Sequence, residues 1–324
     1  MKVLVIRFSS IGDIVLTTPV VRALHQQAGA EVHVAVKEGF APLWAANPFV
    51  HRVHALGDDW SSFVRALRAE DFDEVIDLHN NLRTHRLTVA LRRRMHRMPK
   101  LNLRKWLYTV FKMDRLPDRH IVERAFEAVH HLGVTPDGQG LDCFIPPDEE
   151  VDLDEFPAKY RAGYVAIVIG ARWATKRIPA HIVAQLVDGL NEPVVLLGGP
   201  DDVKLGMEIN SMVEVKAWNA CGRFSIHGSA SLVRQASAVI TPDTGLMHVA
   251  AAFQRPTVVV WGSTTPQFGM EPWAAPHVNA EVNGLACRPC SKIGRSSCPK
   301  GHFRCMRDQR VDQILSLKGL VASS

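Results

Sequence analysis

Long apolar runs are missing from this chain, and no uninterrupted stretch approaches the roughly 18 residues that a membrane-spanning helix requires. The N-terminus lacks a basic segment followed by a long apolar stretch, so no secretory signal is predicted. No nucleic-acid-binding motif, short repeat or low-complexity stretch occurs, so nucleic acid is not an expected partner. We expect a cytoplasmic globular protein, either free or in peripheral contact with a membrane.

What the chain contains is ordinary globular composition. It has 324 residues, of which 47% are hydrophobic and 22% charged. This length suggests two domains of roughly 150 residues each. The net charge of +5 favours anionic partners such as nucleotides, phosphorylated glycans or a membrane surface.

The first half alternates strand-like and helix-like segments with short connections. Strands are predicted in KVLVIRF, EVHVAVK, VHRVHAL and DEVIDLH. Helices are predicted in DIVLTTPVVRALHQQAG, FAPLWAANP, SSFVRALRAEDF and NLRTHRLTVALRRR. The first helix is expected to be broken or kinked at Pro19, and the third to have Ser61 or Ser62 as its N-cap. This order predicts a doubly wound parallel sheet.

A proline-rich, acidic stretch, FIPPDEEVDLDEFPAKY, interrupts the pattern and is interpreted as an interdomain linker. A second α/β series follows, so domains are predicted at 1–150 and 151–324. The second contains a Cys-rich segment, 287–305, and ends in an amphipathic helix. Because ligands bind at the carboxyl ends of parallel strands, chemistry is expected in a cleft between the two domains.

The strongest local motif in the second domain is ITPDTGLMHVAAAF. A strand ends at Pro242, the turn holds Asp243 and Thr244, and a helix is predicted from about Leu246. Free N–H groups at such a helix start, with the Thr244 hydroxyl, favour an anion. The alternative is that Asp243 and Thr244 only cap the helix.

A second motif, VIGARWATKRIP, also follows a predicted strand. Thr175 and Lys176 could bind a phosphate there, with Lys176 acting as a point charge. On this stretch alone, a solvated basic loop explains the residues equally well.

The first strand is followed by FSSIGDIV, which offers no G-x-G-x-x-G and so does not favour an NAD-dependent dehydrogenase. Asp13 in this turn would repel a phosphate. From the local residues alone, a helix-capping role for Asp13 is favoured over a general base facing a hydroxyl.

Three segments occur in order: RFSSIGDIVLTTPVVRAL, GARWATKRIP and PDTGLMHVAAAFQRPTVVVWGSTTP. Together they resemble glycosyltransferase family nine, the ADP-heptose:lipopolysaccharide heptosyltransferases. The resemblance covers most of the chain. It implies a GT-B fold of two Rossmann-like doubly wound parallel-sheet domains facing a cleft, with the acceptor on the N-terminal domain and the nucleotide sugar on the C-terminal one. It also implies inverting transfer with no cofactor required for catalysis.

The resemblance assigns roles to individual residues. Asp13 is implied to be the catalytic base, which reverses the preference drawn from its local surroundings. The implied donor-binding residues are Thr175, Lys176, Asp202, Phe224, Asp243, Thr244, Gly245, Leu246 and His248.

The acceptor implied by the resemblance is a lipid-linked core oligosaccharide. Ser10 and Gly12 in the first turn, and Arg83 and Arg86 after the fourth strand, are the expected acceptor-binding residues. The following basic residues, 92–94, are interpreted as a solvated face or as a peripheral contact with the cytoplasmic side of the inner membrane.

Six cysteines are present, and four lie in CRPCSKIGRSSCPKGHFRCM. Cys287, Cys290, Cys298 and Cys305 could hold a structural zinc, although the second pair is spaced more widely than usual. Free thiols or an oxidation-prone pair are the alternatives. Cys143 and Cys221 are expected to be ordinary core or loop residues.

Two further classes remain as alternatives to a glycosyltransferase. A GT-B-fold nucleotide-sugar epimerase would bind the donor without an acceptor site, and the Asp13 turn and the basic N-terminal segment argue against it. A non-catalytic nucleotide-sugar-binding protein would keep the Thr244 turn but tolerate loss of Asp13.

Overall fold

The computed structural model describes residues 1–322. The chain divides into two compact units: a first unit of Met1–Leu101 and Arg119–Pro146, and a second unit of Asn102–Asp118 and Pro147–Ser324. The segment Asn102–Asp118 therefore belongs with the second unit, although the sequence alone placed it in the first domain.

The first unit contains a five-stranded parallel sheet in the order β3-β2-β1-β4-β5. Its strands are β1 (Lys2–Ile6), β2 (Glu31–Lys37), β3 (Arg52–Leu56), β4 (Glu74–Asp77) and β5 (His96–Arg97). Its helices are α1 (Ile11–Val15), α2 (Thr18–Ala28), α3 (Pro42–Ala45), α4 (Trp60–Ala69), α5 (Leu82–Leu91) and α7 (Ile121–Phe126), with short 3₁₀ turns at 38–40 and 130–132. All pairings of this sheet are parallel, so the predicted doubly wound arrangement is confirmed.

Local chemistry explains two helix starts in this unit. Pro19 lies in the first turn of α2, so the predicted interruption is confirmed as a break between α1 and α2. The predicted N-cap of α4 is wrong, because Asp59 caps this helix by accepting hydrogen bonds from the N–H groups of Ser61 and Ser62. A carboxylate accepts both bonds at once and also favours the positive end of the helix dipole.

The segment 119–146 returns to the first unit and is held there by a buried arginine. Arg22 on α2 donates from Nε and Nη2 to the two carboxylate oxygens of Asp137, at 2.7 and 2.9 Å. It also pairs with Asp142 and donates to the carbonyl of Gly140 at 2.9 Å. Such a bidentate, buried arrangement fixes the geometry of the returning chain.

The second unit contains a six-stranded parallel sheet in the order β11-β10-β9-β6-β7-β8. Its strands are β6 (Val165–Val168), β7 (Val194–Leu197), β8 (Trp218–Asn219), β9 (Ala238–Pro242), β10 (Thr257–Trp261) and β11 (His277–Glu281). Its helices are α6 (Asn102–Phe111), α8 (Ala158–Arg161), α9 (Ala180–Gly189), α10 (Val203–Met212), α11 (Ile226–Gln235), α12 (Gly245–Ala252), α13 (Arg304–Arg307) and α14 (Val311–Ala322).

Counted within this unit, the strand order is 3-2-1-4-5-6, the order of a dinucleotide-binding sheet. The four central strands β6, β7, β9 and β10 are buried along their whole length. Strands buried on both faces require helices on both sides of the sheet. None of the helices among residues 1–322 is long and apolar enough to cross a membrane.

Helix α6 packs differently, because none of its residues is fully buried. Tyr108 meets the ring of Phe268 edge-on, with centroids 6.0 Å apart, and Lys105 lies 5.1 Å from the same centroid. Lys112, just after the helix, donates to the carbonyls of Cys287 and Pro289 at 3.2 and 2.7 Å. These contacts join α6 to the second unit.

Candidate active site

An ion pair lies at the carboxyl edge of the second sheet, where β9 ends. The Lys176 Nζ atom is 2.6 Å from Oδ2 of Asp243, and both side chains are largely buried, at 15% and 12% exposure. The Thr264 hydroxyl, from the turn after β10, donates to the same carboxylate oxygen at 2.7 Å. Burial opposes ionisation of Asp243, but the Lys176 ammonium, the Thr264 hydroxyl and the nearby His248 together outweigh it and hold the pKa of the carboxyl below its usual value. The structure thus brings Lys176 and Asp243 together from two separate motifs.

Helix α12 begins directly after this ion pair. Thr244 is its N-cap in extended conformation and makes no capping hydrogen bond through its side chain. The N–H groups of Gly245 and Leu246 in the first turn therefore remain available to an acceptor from outside the helix. His248 is buried one turn further along. A helix start that lacks a side-chain cap, with a lysine nearby, is suited to a phosphate.

Thr175 is buried, and its hydroxyl links three loops of the second unit. It lies 2.9 Å from the Ser263 hydroxyl and accepts a hydrogen bond from the Arg295 N–H at 2.8 Å. The Thr175 carbonyl also accepts from the Ser263 N–H at 3.3 Å. Because these contacts occupy the hydroxyl, the geometry gives Thr175 the task of holding the Lys176 loop against the turn after β10.

Sequence reasoning missed Arg288, which supports the same turn. Arg288 donates from Nε to the Gly262 carbonyl at 2.8 Å and from Nη2 to the Thr264 carbonyl at 3.1 Å, and it pairs with Glu281. Since Thr264 bonds Asp243, Arg288 acts on the ion pair indirectly. The only sequence signal for Arg288 was its position in the Cys-rich segment, within the C-x-x-C spacing.

Asp202 lies over the carboxyl ends of β6 and β7. Its Oδ2 accepts from the Gly199 N–H at 2.9 Å, and its Oδ1 is 3.5 Å from Nη2 of Arg177. A Cβ atom on Gly170 would approach Asp202 Oδ2 to 2.3 Å, so only glycine leaves room for this carboxylate. A carboxylate placed at this edge of the sheet can accept hydrogen bonds from sugar hydroxyls.

Phe224 is half-buried between β8 and α11, in a small aromatic group. Its ring centroid is 5.9 Å from that of Trp218 and 6.4 Å from that of Phe156. Gly228 on α11 permits this position, since a Cβ there would lie 2.9 Å from the Phe224 Cβ. An aromatic ring held in this way offers a face on which a nucleobase could stack.

In the first unit, Asp13 is the third residue of α1. Its Oδ2 accepts from the Ser10 N–H at 3.3 Å and from the Ser10 hydroxyl at 2.9 Å, while Oδ1 pairs with Arg7. The capping role favoured by the local sequence is therefore present. The carboxylate keeps 22% exposure, so it also remains accessible to a ligand. Gly12 beside it is buried and Ser10 is exposed.

His79, which sequence reasoning missed, lies at the same edge of the first sheet, directly after β4. Its ring centroid is 5.8 Å from that of Phe8. Burial and the nearby Arg7 charge lower the pKa of His79 to about 4, so the imidazole is neutral at physiological pH. Its position two residues past Asp77, where β4 ends, was the available signal.

The two predicted acceptor arginines project from the exposed face of α5. The Arg83 guanidinium lies 6.0 Å from the Phe8 ring centroid, and that of Arg86 lies 5.0 Å from the Trp60 centroid. Arg83 is thus placed beside the turn that carries Asp13, whereas Arg86 lies one helical turn further away. Arg93 pairs with Asp71 on the surface, which agrees with a solvated face for the segment 92–94.

All six cysteines are free thiols. Cys287 Sγ lies 3.7 Å from Nε2 of His302. Burial raises the pKa of Cys290 and raises that of Cys305 to about 12. Within residues 1–322, the groups whose ligand atoms all lie within 4.8 Å of one another contain no cysteine. The four-cysteine zinc site stays a prediction.

The topology and the candidate site define a class: a protein of two Rossmann-like α/β units, the second of which has an anion-suited turn at the carboxyl edge of its sheet. The model of glycosyltransferase family 9 (heptosyltransferase) matches residues 60–300, about three quarters of the chain. The chain belongs to this family, and the resemblance drawn from its motifs is confirmed.

Similar proteins with established names agree with this family assignment. The chain is 27% identical over 345 aligned residues to lipopolysaccharide heptosyltransferase 1 of Pseudomonas aeruginosa, covering 97% of this chain and 93% of that protein. Two solved structures share its fold at 21% identity. One is a family 9 glycosyltransferase from Veillonella parvula, with a TM-score of 0.78 over 99% of this chain and 97% of that one. The other is the ADP-heptose lipopolysaccharide heptosyltransferase II of E. coli, with a TM-score of 0.77 over 100% and 99%. The predicted GT-B class is thereby confirmed.

Proposed function

We propose that this protein transfers a heptose, or a related sugar, from an ADP-sugar to a lipopolysaccharide core acceptor, with inversion at the anomeric carbon. The observation that carries the proposal is the Lys176–Asp243 pair beside the open start of α12. The names of the relatives supply the sugar and the acceptor class.

The donor half of the site belongs to the second unit. The Lys176 ammonium and the N–H groups of Gly245 and Leu246 would bind the diphosphate, and Asp243 would accept hydrogen bonds from sugar hydroxyls. Asp202 would take the ribose hydroxyls and Phe224 would pack on the base. When the sugar leaves, negative charge develops on the diphosphate, and the lysine and helix dipole stabilise it. Because these groups can stabilise the leaving diphosphate, they support a transfer that needs no metal ion.

The acceptor half belongs to the first unit, and Asp13 is its base. The acceptor hydroxyl attacks the anomeric carbon, its proton passes to the Asp13 carboxylate, and the bond to the ADP oxygen breaks. Asp13 pairs with Arg7, and its residual exposure leaves the carboxylate open to the hydroxyl. Ser10 and Gly12 line the same turn, and Arg83 would meet a phosphate or carboxylate on the core glycan.

Peripheral contact with the cytoplasmic face of the inner membrane is the remaining part of the proposal. Helix α6 presents exposed apolar side chains at helical spacing, those of Leu103, Trp106 and Val110, beside the basic residues Arg104 and Lys105. A helix with an apolar face and adjacent positive charge favours an anionic lipid surface. That property suits an enzyme whose acceptor is lipid-linked.

The test is a transfer assay with ADP-heptose and core acceptors truncated at successive positions, presented in vesicles and as water-soluble glycans. Asp13→Asn keeps an oxygen that can accept the Ser10 N–H but removes the base. We expect transfer to fall by roughly 10²–10⁴-fold, with ADP affinity nearly unchanged in calorimetry. Asp59→Asn, which changes another capping acid of the same unit, should leave transfer intact.

Four outcomes would overturn parts of this proposal. Near-normal transfer by Asp13→Asn would remove the base assignment. Donor conversion without any acceptor would indicate an epimerase, and donor binding with no transfer to any acceptor would indicate a non-catalytic binding protein. Loss of transfer on addition of EDTA, while circular dichroism shows the chain to remain folded, would contradict the metal-independent mechanism.

A further inference from the structure

A cluster of two histidines and one glutamate lies at the amino edge of the first sheet, opposite the edge that carries Asp13. Glu74 begins β4, His96 begins β5, and His131 lies in the 3₁₀ turn 130–132. His96 pairs in register with Ile76, which shares a face of the strand with Glu74 two residues earlier. The topology therefore places the three side chains together from three separate segments.

The distances within this cluster match those around a single metal ion. The Glu74 Oε2 atom is 3.2 Å from Nε2 of His131 and 3.6 Å from Nε2 of His96. All three ligand atoms lie within 4.8 Å of one another. Donor atoms bound at 2.0–2.2 Å to a tetrahedral zinc are separated by roughly 3.3 Å. The two imidazoles stack face to face, with centroids 3.6 Å apart, and both Nε2 atoms face Oε2 of Glu74, so one ring must tilt for both lone pairs to meet at one ion.

Hydrogen bonding alone accounts for only part of this arrangement. At 3.2 Å the His131 contact is a hydrogen bond, but 3.6 Å is too long for a second one to His96. Among residues 1–322, no lysine or arginine lies within 4 Å of the Glu74 carboxylate, so no cation competes for it. The three side chains are between 25% and 32% exposed, which lets an ion enter from solvent.

Two other clusters of histidine and glutamate lie nearby, but their carboxylates are already neutralised. Glu31, beside His33 and His51, lies 3.7 Å from Lys2. Glu70, beside His33 and His54, bonds Lys2 at 3.0 Å and Arg52 at 2.6 Å. In addition, both ring nitrogens of His33 are engaged, with His54 at 2.9 Å and Glu31 at 3.0 Å. These clusters are ion-pair networks.

We propose that Glu74, His96 and His131 form a binding site for a divalent transition-metal ion, with zinc as the best match. Two imidazoles and one carboxylate are a common set of protein ligands for zinc, and a water completes the tetrahedron. Each imidazole binds through Nε2 and carries its proton on Nδ1. The bound ion joins β4 and β5 to the returning segment 119–146. It therefore stabilises the first unit without touching the residues of the proposed transfer.

The test titrates the full chain, freed of metal, with Co²⁺, which occupies zinc sites and absorbs visible light. We expect d–d absorption that the ligand variants lose, whereas any near-ultraviolet sulfur-to-cobalt band, which thiolate ligands produce, is unchanged in them. That difference separates the cluster from the four cysteines. Zinc should then displace the cobalt and raise the unfolding temperature of the chain.

Variants locate the site. His131→Ala removes an exposed ligand and should weaken Co²⁺ binding by roughly 100-fold. Glu74→Gln, which keeps the shape of the side chain, provides a second measurement should His131→Ala fail to fold. His51→Ala, in a neighbouring cluster, is the matched control and should bind like wild type. Equal affinity in wild type and both ligand variants, loss of binding in His51→Ala, or a spectrum with only sulfur bands would overturn the proposal. None of these measurements depends on transfer activity, so they test the metal site independently of the proposed function.

Discussion

Replacing Lys176 by methionine should lower the free energy of unfolding, because the buried Asp243 carboxylate then lacks its cationic partner. The variant leaves a carboxylate at 12% exposure without the ammonium that lies 2.6 Å away in the wild type. Removing one partner of a buried pair costs about 3–5 kcal/mol. The Thr264 hydroxyl still donates to the carboxylate, which places the expected loss near the lower end, about 3 kcal/mol. For a unit of this size, that corresponds to a fall of roughly 6–12 °C in melting temperature.

The sign of the pH dependence follows from the lowered pKa of Asp243 in the folded protein. In the wild type, the ionised carboxylate contributes stability above its unfolded pKa of about 4, and that contribution is lost as pH falls through the folded pKa. In Lys176→Met, only the Thr264 hydrogen bond and the nearby His248 still oppose the effect of burial, so the folded pKa of Asp243 rises and the carboxylate opposes folding at neutral pH. The deficit of the variant should therefore be full at pH 7 and shrink as pH falls toward about 4.

Urea unfolding followed by tryptophan fluorescence measures this deficit. The double variant Lys176→Met/Asp243→Asn removes both charges and should return to within about 1 kcal/mol of wild type at pH 7. In calorimetry, both variants should bind ADP weakly, because both lack the lysine, and this separates stability from donor binding. A double variant no more stable than the single one, or a deficit independent of pH, would refute the ion-pair reasoning. Unchanged ADP affinity would remove Lys176 from the donor site.

Two further substitutions test the second unit. Gly170→Ala places a Cβ 2.3 Å from Asp202 Oδ2 and should displace that carboxylate, weakening ADP binding by roughly tenfold, whereas Gly39→Ala, in open space, should have no effect. Thr175→Val leaves the Ser263 hydroxyl and the Arg295 N–H without their partner and should lower the free energy of unfolding by about 1–3 kcal/mol. A loss too small to measure would show that Thr175 does not hold these loops together.

The sequence predicted the sheets well because their central strands are continuous apolar runs between turn residues. Strands such as β6 and β10 are buried on both faces, and that pattern has few alternatives. The edge strands β5, β8 and β11 were missed, and β5 and β8, with two residues each, carry no periodicity. Helix α6 was also missed, because its basic residues hid an apolar face that stays largely exposed.

Single motifs predicted which residues belong to the candidate site, but not how they contact one another. The Asp243–Thr244 turn and the Lys176 loop each suggested an anion, but their 2.6 Å contact depends on β6 and β9 lying side by side. The N-cap of α4 shows the limit of local patterns. Serine and aspartate both cap helices, and only the backbone conformation of Asp59 decides between them. Arg288 and His79 act through contacts distant in sequence, which no local pattern encodes.

Residues 102–118 belong to the second unit although the residues on either side belong to the first, and this limits how the protein can be divided into fragments. Since α6 packs on Phe268 and Lys112 bonds the carbonyls of the Cys-rich segment, the second unit is discontinuous in sequence. A fragment that starts at residue 147 would lack α6, while one that ends at residue 146 would carry α6 without Phe268 and the Cys-rich segment against which it packs. The two halves are therefore compact in space yet interleaved along the chain, so a single cut cannot separate them into intact modules.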